Sequence, residues 1–505
     1  MLNTVDLGRK VGKADYKREL PELRSRLLTA QRALKDAGIG VLLIIEGMDG
    51  SGRAEVVNRL HEWLDPRGIQ THTFWNPSDE ERERPPFWRF WRVLPGAGEI
   101  ALFLGGWYRD ILTDAVHDRI PDATLEARLA PVLDMESMLA SDRTLILKFW
   151  YHLPSEAQEK RLNEEDTTPD DRWPSIKAAL KGRKALKKWA ERILRRTDTA
   201  EAPWFIIEAE DDRYRDLSTG YTLLEAMEKR LAASGNRRVE PLPPPEPALP
   251  HTPSARVTVL DHVNLHAHVA ASTYERRLPQ LQDTLRELLW RAHDAGLSTY
   301  LVFEGWDAAG KGGTIRRLTS GMDARLYRVI PYGAPSSHEL EHHYLWRFWR
   351  QVPRAGRVAV FDRSWYGRVL VERVEGYCSA AEWQRAYHEI NDFEAQLAAA
   401  HGLVLKFWLH ISPEEQLRRF EERQNTPWKQ YKITPDDWRN REKRSAYEQA
   451  VNEMVLRTDT EYAPWRLIAN ENKEHGRLHV LEAVCTAIKE RLAQNGKHPR
   501  GEIAL

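Results

Sequence analysis

The 505-residue sequence predicts an α/β chain of two tandem domains, each a parallel sheet covered on both faces by helices. Three observations predict it. The chain is written twice in near-perfect register: Tyr16 matches Tyr274, Glu46 matches Glu304, Trp107 matches Trp365 and Lys148-Phe149-Trp150 matches Lys406-Phe407-Trp408, each pair 258 residues apart. That period is far too long for a solenoid and marks a duplicated domain. Within each copy, short apolar runs alternate with helical periodicity. Between the copies lies Pro241-Leu-Pro-Pro-Pro-Glu-Pro-Ala-Leu-Pro250, which can hold neither a helix nor a ladder. The expected division is therefore 1–240, a linker at 241–256, and 257–505.

The elements of the second copy follow in order. Leu278 to His293 has helical spacing and stops at Asp294-Ala295-Gly296. Ser298 to Phe303 is short and apolar, so a buried strand. A Gly-rich turn follows, then a helix from about Gly313. Arg357 to Phe361 and Leu403 to Leu409 are further buried strands.

Composition excludes several classes. Hydrophobic residues at 42% and charged residues at 30% suit a globular chain. The formal net charge is zero, so no global field attracts nucleic acid or a membrane surface, and no base-reading motif is present. Cys378 and Cys485 are the only cysteines, which fits a reducing cytoplasm. The first residues lack a secretory apolar core, and the longest apolar run, Val41 to Ile45, cannot span a bilayer.

Chemistry concentrates in the second copy. Gly305-x-x-x-x-Gly310-Lys311 has the spacing of a phosphate-binding loop. Glycines let successive amides face one anion, the following helix adds its positive end, and the lysine reaches the phosphates. Gly310, Gly312, Gly313 and Thr314 are the expected amide donors. Gly312 stands where a Ser or Thr hydroxyl normally meets magnesium, so Asp307 inside the loop is a candidate metal ligand or base, or alternatively a cap of the turn. Asp362 and Arg363 end a buried strand, where a metal-binding acid belongs in such folds, or alternatively form a strand-end salt bridge. In the first copy Lys311 becomes Arg53, Asp362 becomes Leu104 and Arg363 becomes Gly105, although Asp49 still matches Asp307. A phosphate lysine, an acid and an arginine are lost together, so the first copy is expected to be inactive.

Register breaks in one region. Arg419 matches Arg161 at an offset of 258, while Arg457-Thr458-Asp459 matches Arg196-Thr197-Asp198 at 261. The longer segment in the second copy is expected to be a surface excursion such as a lid. A solvated helix face accounts for about half of its cations, and Arg419, Arg423, Lys429 and Lys432 are the expected anion contacts. Trp-Arg-Phe-Trp occurs in both copies, at 88–91 and 346–349, and so reads as packing. His338, His342 and His343 lack supporting ligands and read as a hydrated cluster.

These residues resemble the polyphosphate kinase 2 family. The resemblance rests on Glu304-Gly-Trp-Asp-Ala-Ala-Gly-Lys-Gly-Gly313, Phe361-Asp-Arg-Ser-Trp-Tyr-Gly-Arg368 with Val371-Glu-Arg-Val374, and Trp428-Lys-Gln-Tyr-Lys432 with Thr458-Asp459 and Ala463-Pro-Trp465. It covers about 220 residues of the second copy and, more weakly, the same length of the first. The tandem form is similar to the subgroup that makes ADP from AMP and inorganic polyphosphate. The resemblance implies thymidylate-kinase-like P-loop domains with a helical lid, Mg2+ dependence and a homo-oligomer. It implies that Asp307, Lys311, Asp362 and Arg363 are catalytic, that Asp307 and Asp362 hold the metal, and that Arg368 and Glu372 meet the nucleotide. An ATP-using nucleoside monophosphate kinase and a non-catalytic polyphosphate- or nucleotide-binding module are the competing readings.

Overall fold

A computed structural model describes residues 2, 8–117, 121, 124–164, 176–235, 258–427 and 433–495. The expected linker and the site candidates Lys429 and Lys432 lie outside the described residues. The chain forms two compact units. One gathers Met1–Pro77, Arg89–Leu249 and Ser337–His343; the other gathers Ser78–Trp88, Pro250–Ser336 and Tyr344–Leu505.

The first unit holds a five-stranded sheet of β1 (Gly40–Gly47), β2 (Ile69–Thr73), β3 (Ile100–Leu104), β4 (Thr144–His152) and β5 (Trp204–Glu208), in the order β2-β3-β1-β4-β5. The second repeats it with β6 (Ser298–Gly305), β7 (Tyr327–Pro331), β8 (Val358–Asp362), β9 (Gly402–His410) and β10 (Trp465–Ala469), in the order β7-β8-β6-β9-β10. Every pairing within these sheets is parallel. The central strands β1 and β6 are buried along nearly their whole length, as a sheet covered on both faces requires. Register repeats as well: Phe303 faces Asp362 as Ile45 faces Leu104.

Element bounds differ from expectation in small ways. The helix before β6 runs from Ala271 to Asp294 and carries Pro279 inside it, so it starts well before Leu278. The helix after the Gly-rich loop begins at Lys311 rather than Gly313. The edge strands β7 and β10 gave no clear sequence signal: each has five residues and is only partly buried, and β7 ends in proline.

The same ion pair is sealed inside the core of each unit. Lys406 Nζ lies 2.7 Å from Glu394 and also donates to Tyr366 Oη (2.9 Å) and the Thr458 carbonyl (2.6 Å). Trp365 and Tyr366 donate to the other oxygen of Glu394 at 3.0 and 2.8 Å. Lys148, Glu136, Tyr108, Trp107 and Thr197 repeat this set in the first unit. Thr458, Asp459 and Trp465 extend it: Trp465 donates its indole to Thr458 Oγ1 and its amide to Asp459 Oδ1. Full hydrogen bonding is what makes such a buried pair tolerable. Several residues that carried the family resemblance therefore build the core. The aromatic rings of both Trp-Arg-Phe-Trp segments are buried, as packing requires, whereas His343 is buried rather than hydrated.

Candidate active site

The site forms where β6 and β8 end side by side. Gly305 closes β6 at φ 150°, and a Cβ there would strike the Leu409 carbonyl, so only glycine lets the strand turn away from β9. The loop passes through Ala308 (φ 61°) and Gly310 (φ 102°) into the helix Lys311–Thr319. Gly310 leads directly into its first turn, whose free amides are the anion-binding end. The Thr314 amide bonds back to the Gly310 carbonyl, and Thr314 is buried. Gly312 is exposed and Gly313 half-buried.

Lys311 is the hub. Its ammonium donates to the carbonyls of Gly305 (2.7 Å) and Trp306 (3.3 Å). Desolvation holds its pKa below the usual lysine value, opposed by the nearby carboxylates of Asp307, Glu304 and Asp362 and assisted by Arg363. All four expected catalytic side chains thus share one electrostatic neighbourhood. Asp307 Oδ1 lies 3.4 Å from Arg363. Asp362 is half-buried at the last position of β8, and Arg363 takes a left-handed turn at φ 67°. Behind them Glu304 accepts the Ser364 hydroxyl at 2.8 Å, and burial raises its pKa.

Arg419 is a correction. It is only 3% exposed, and its guanidinium donates to the carbonyls of Ala308, Ala309, Asn470 and Glu471 and to Glu415. It braces the loop instead of facing a ligand. Arg161 does the same in the first unit, through the Gly50 and Glu210 carbonyls. Its retention as Arg161 in the copy that carries Arg53, Leu104 and Gly105 was the available signal. Arg423 is half-buried near the end of the helix Pro413–Asn425. Arg368 and Glu372 are brought together at 3.1 Å, with Arg368 over the Tyr344 ring, and burial raises the pKa of Glu372.

Three residues were missed. Asn440, on the helix Pro435–Glu442, donates to Asp307 Oδ2 at 2.9 Å. Arg444 stacks over the Trp306 ring at 4.1 Å and donates to Gln416, whose own amide donates to the Asp307 carbonyl. Arg477 would lie 3.5 Å from a Cβ on Gly313, beside the first turn of the loop helix. A residue-by-residue comparison of the copies flags two of them: Ala179 stands at the place of Asn440, and Asp216 at that of Arg477.

In the first unit the same loop answers its own charge. Arg53 pairs with Asp49 at 3.0 Å. Arg215, where the second copy has Gly476, lies across Gly52 so closely that any Cβ there would collide with its guanidinium. Asp212 and Asp216 hold it in place.

A buried parallel sheet, a phosphate loop at the end of its central strand and an acid ending the next strand define a P-loop kinase-like domain, and the chain contains this fold twice. A family model described as Polyphosphate kinase 2 (PPK2) matches residues 10–234 and 268–496. The chain belongs to the polyphosphate kinase 2 family. It is 42% identical to a polyphosphate:AMP phosphotransferase of Pseudomonas syringae pv. tomato over 98% of this chain and 100% of that one. It is 41% identical to one from Pseudomonas aeruginosa over 97% and 99%. A solved Pseudomonas aeruginosa PA01 structure assigned to polyphosphate kinase 2 superposes with a TM-score of 0.86 at 41% identity, covering 98% of this chain and 100% of that one.

Proposed function

We propose that the second unit moves the terminal phosphoryl of inorganic polyphosphate directly to an AMP phosphate oxygen, giving ADP. The activity named for the full-length relatives supports this reading. The observation that carries it is the convergence of Asp307, Asp362 and Arg363 on Lys311 in one unit, against Arg53, Leu104 and Gly105 in the other.

The chemistry sets a clear electrostatic demand. Two dianionic phosphates about 4 Å apart at an effective dielectric of about 20 repel by roughly 16 kcal/mol as an upper figure. Lys311 and the amides of Gly310, Gly312 and Gly313 hold one phosphate group, whereas the Thr314 amide, expected among them, is taken by the Gly310 carbonyl. Arg363 meets charge developing on the equatorial oxygens. Arg423, Lys429 and Lys432 guide the polymer, and the lid excludes water from the reacting group. Arg368 and Glu372 orient the nucleotide. Asp307 and Asp362 offer hard carboxylate oxygens on two adjoining elements, a donor set that suits magnesium completed by water and phosphate. Held by Asp307 and Asp362, such an ion would supply positive charge to offset the negative charge of the phosphates. We further read the protein as cytoplasmic and self-associating; among the described residues no helix is long and apolar enough to cross a membrane.

Phosphoryl transfer measured with polyphosphate against AMP, ADP and GMP, with and without magnesium, tests the reading. AMP is the expected acceptor and magnesium is expected to be required. Faster transfer from ATP than from polyphosphate would replace the donor and make the protein a nucleoside monophosphate kinase.

A further inference from the structure

A polar network outside the four expected catalytic residues ends on Asp307. Glu375 closes the helix Val371–Glu375, just beyond Arg368 and Glu372. Its side chain is only 4% exposed, yet it is surrounded by lid residues: Arg439 at 3.1 Å, Lys443 at 2.8 Å and the Tyr447 hydroxyl at 3.5 Å. Tyr447 also lies 3.3 Å from Asn440 Oδ1, the nearer of its two acceptors, and its single proton serves one of them at a time. That contact fixes the amide orientation, because it turns Nδ2 toward Asp307, where a carboxylate needs a donor. The two oxygens of Asp307 are thus held from different sides, one by Arg363 and the other by Asn440.

The first copy serves as an internal control. It keeps the structural bracing of the lid base: Gln158 donates to the Asp49 carbonyl as Gln416 does to that of Asp307, and Arg183 donates to Leu153 as Arg444 does to Ile411. At the positions of Glu375, Arg439, Asn440, Lys443 and Tyr447 it has His117, Ala178, Ala179, Gly182 and Leu186. All five members of the network are absent where the reacting set is absent, although the lid base persists. Simple attachment of a lid would not predict that division.

We propose that Glu375, Arg439, Lys443, Tyr447 and Asn440 form a latch through which the closed lid sets the carboxylate of Asp307 for metal and phosphate. They are positioning residues, acting through Asp307. The inference rests on the catalytic reading of Asp307 and goes beyond it by tying lid closure to the geometry of that one side chain.

The test uses full-length Asn440→Ala, Asn440→Asp, Glu375→Gln and Asp307→Asn. Removing an outer partner of a metal-binding carboxylate typically costs about 10- to 100-fold in affinity or activity. Asn440→Ala is expected to lower kcat by about that factor, to weaken Mn2+ binding followed by electron paramagnetic resonance about tenfold, and to change the polyphosphate KM less than about threefold. Glu375→Gln should move in the same direction by a smaller factor. Asn440→Asp removes the amide donor at nearly unchanged size, so it should lower kcat as Asn440→Ala does. A purely structural latch would alter KM and thermal stability without the loss of Mn2+ binding. If Asp307→Asn is inactive while Asn440→Ala and Glu375→Gln retain wild-type kcat and Mn2+ affinity, the latch is wrong and the site reading stands. If Asp307→Asn turns over normally, the role of Asp307 falls and the latch falls with it.

Discussion

Arg363 and Gly105 occupy the same left-handed turn, at φ 67° and 70°, although their side chains could hardly differ more. A non-glycine residue at such a φ costs about 1 kcal/mol. The second unit keeps that strain where an arginine faces Asp307, and the first unit has relaxed it. Arg363→Gly should therefore melt at the same or a slightly higher temperature, with a gain of at most about 1 kcal/mol. Its kcat should fall by about a thousandfold, as loss of a charge-stabilising arginine does in phosphoryl transfer. Calorimetry and steady-state kinetics on one preparation check both halves; a variant that keeps wild-type kcat would remove Arg363 from the reaction.

Arg419 and Arg423 lie one helical turn apart and should behave oppositely. Arg419 braces loop carbonyls, so Arg419→Ala is expected to lose about 3 kcal/mol of stability through unsatisfied buried acceptors. Arg423→Ala should cost less stability than Arg419→Ala and raise the polyphosphate KM. Denaturant titration with a KM series separates them.

Acid should loosen the loop through His410. Its Nδ1 accepts the Trp306 indole at 3.0 Å, and burial lowers its pKa to about 4. The unfolded chain binds this proton near pH 6.5 and the folded chain does not, so stability falls as pH drops from about 6.5 toward 4. Between pH 7 and 5 the loss from this group is about 2 kcal/mol. His410→Asn keeps an acceptor without titrating, and its pH–stability curve should be flatter by about that amount.

Asp362→Asn should abolish turnover while leaving the melt close to wild type, since the side chain is half-buried at a strand end. Adding Arg53→Lys in that background should restore nothing. Leu104 offers no metal oxygen and Gly105 no charge, so a lysine alone cannot rebuild the first unit. Radiolabelled ADP formation above background in the double variant would refute the division of labour.

The central strands were legible because full burial writes a continuous apolar run, as in Leu301-Val302-Phe303. The edge strands β7 and β10 were not, since partial burial leaves mixed polarity in five residues. The cluster around Lys311 was legible because the repeat supplies a copy in which three of its four members are replaced, by Arg53, Leu104 and Gly105. The same comparison, applied to every position, separates Arg419, retained as Arg161, from Asn440, replaced by Ala179. What it could not show is direction: no spacing rule tells that an asparagine 133 residues from Asp307 turns its amide toward it.

The guanidinium lying over Gly52 has a calorimetric consequence. Inorganic tripolyphosphate should stabilise the half of the molecule whose loop is open to it and pass over the half where Arg215 already takes that place. A ligand specific to one folded unit raises only that unit's melting temperature. Heating with increasing tripolyphosphate should then split the thermogram, one transition climbing and the other staying fixed.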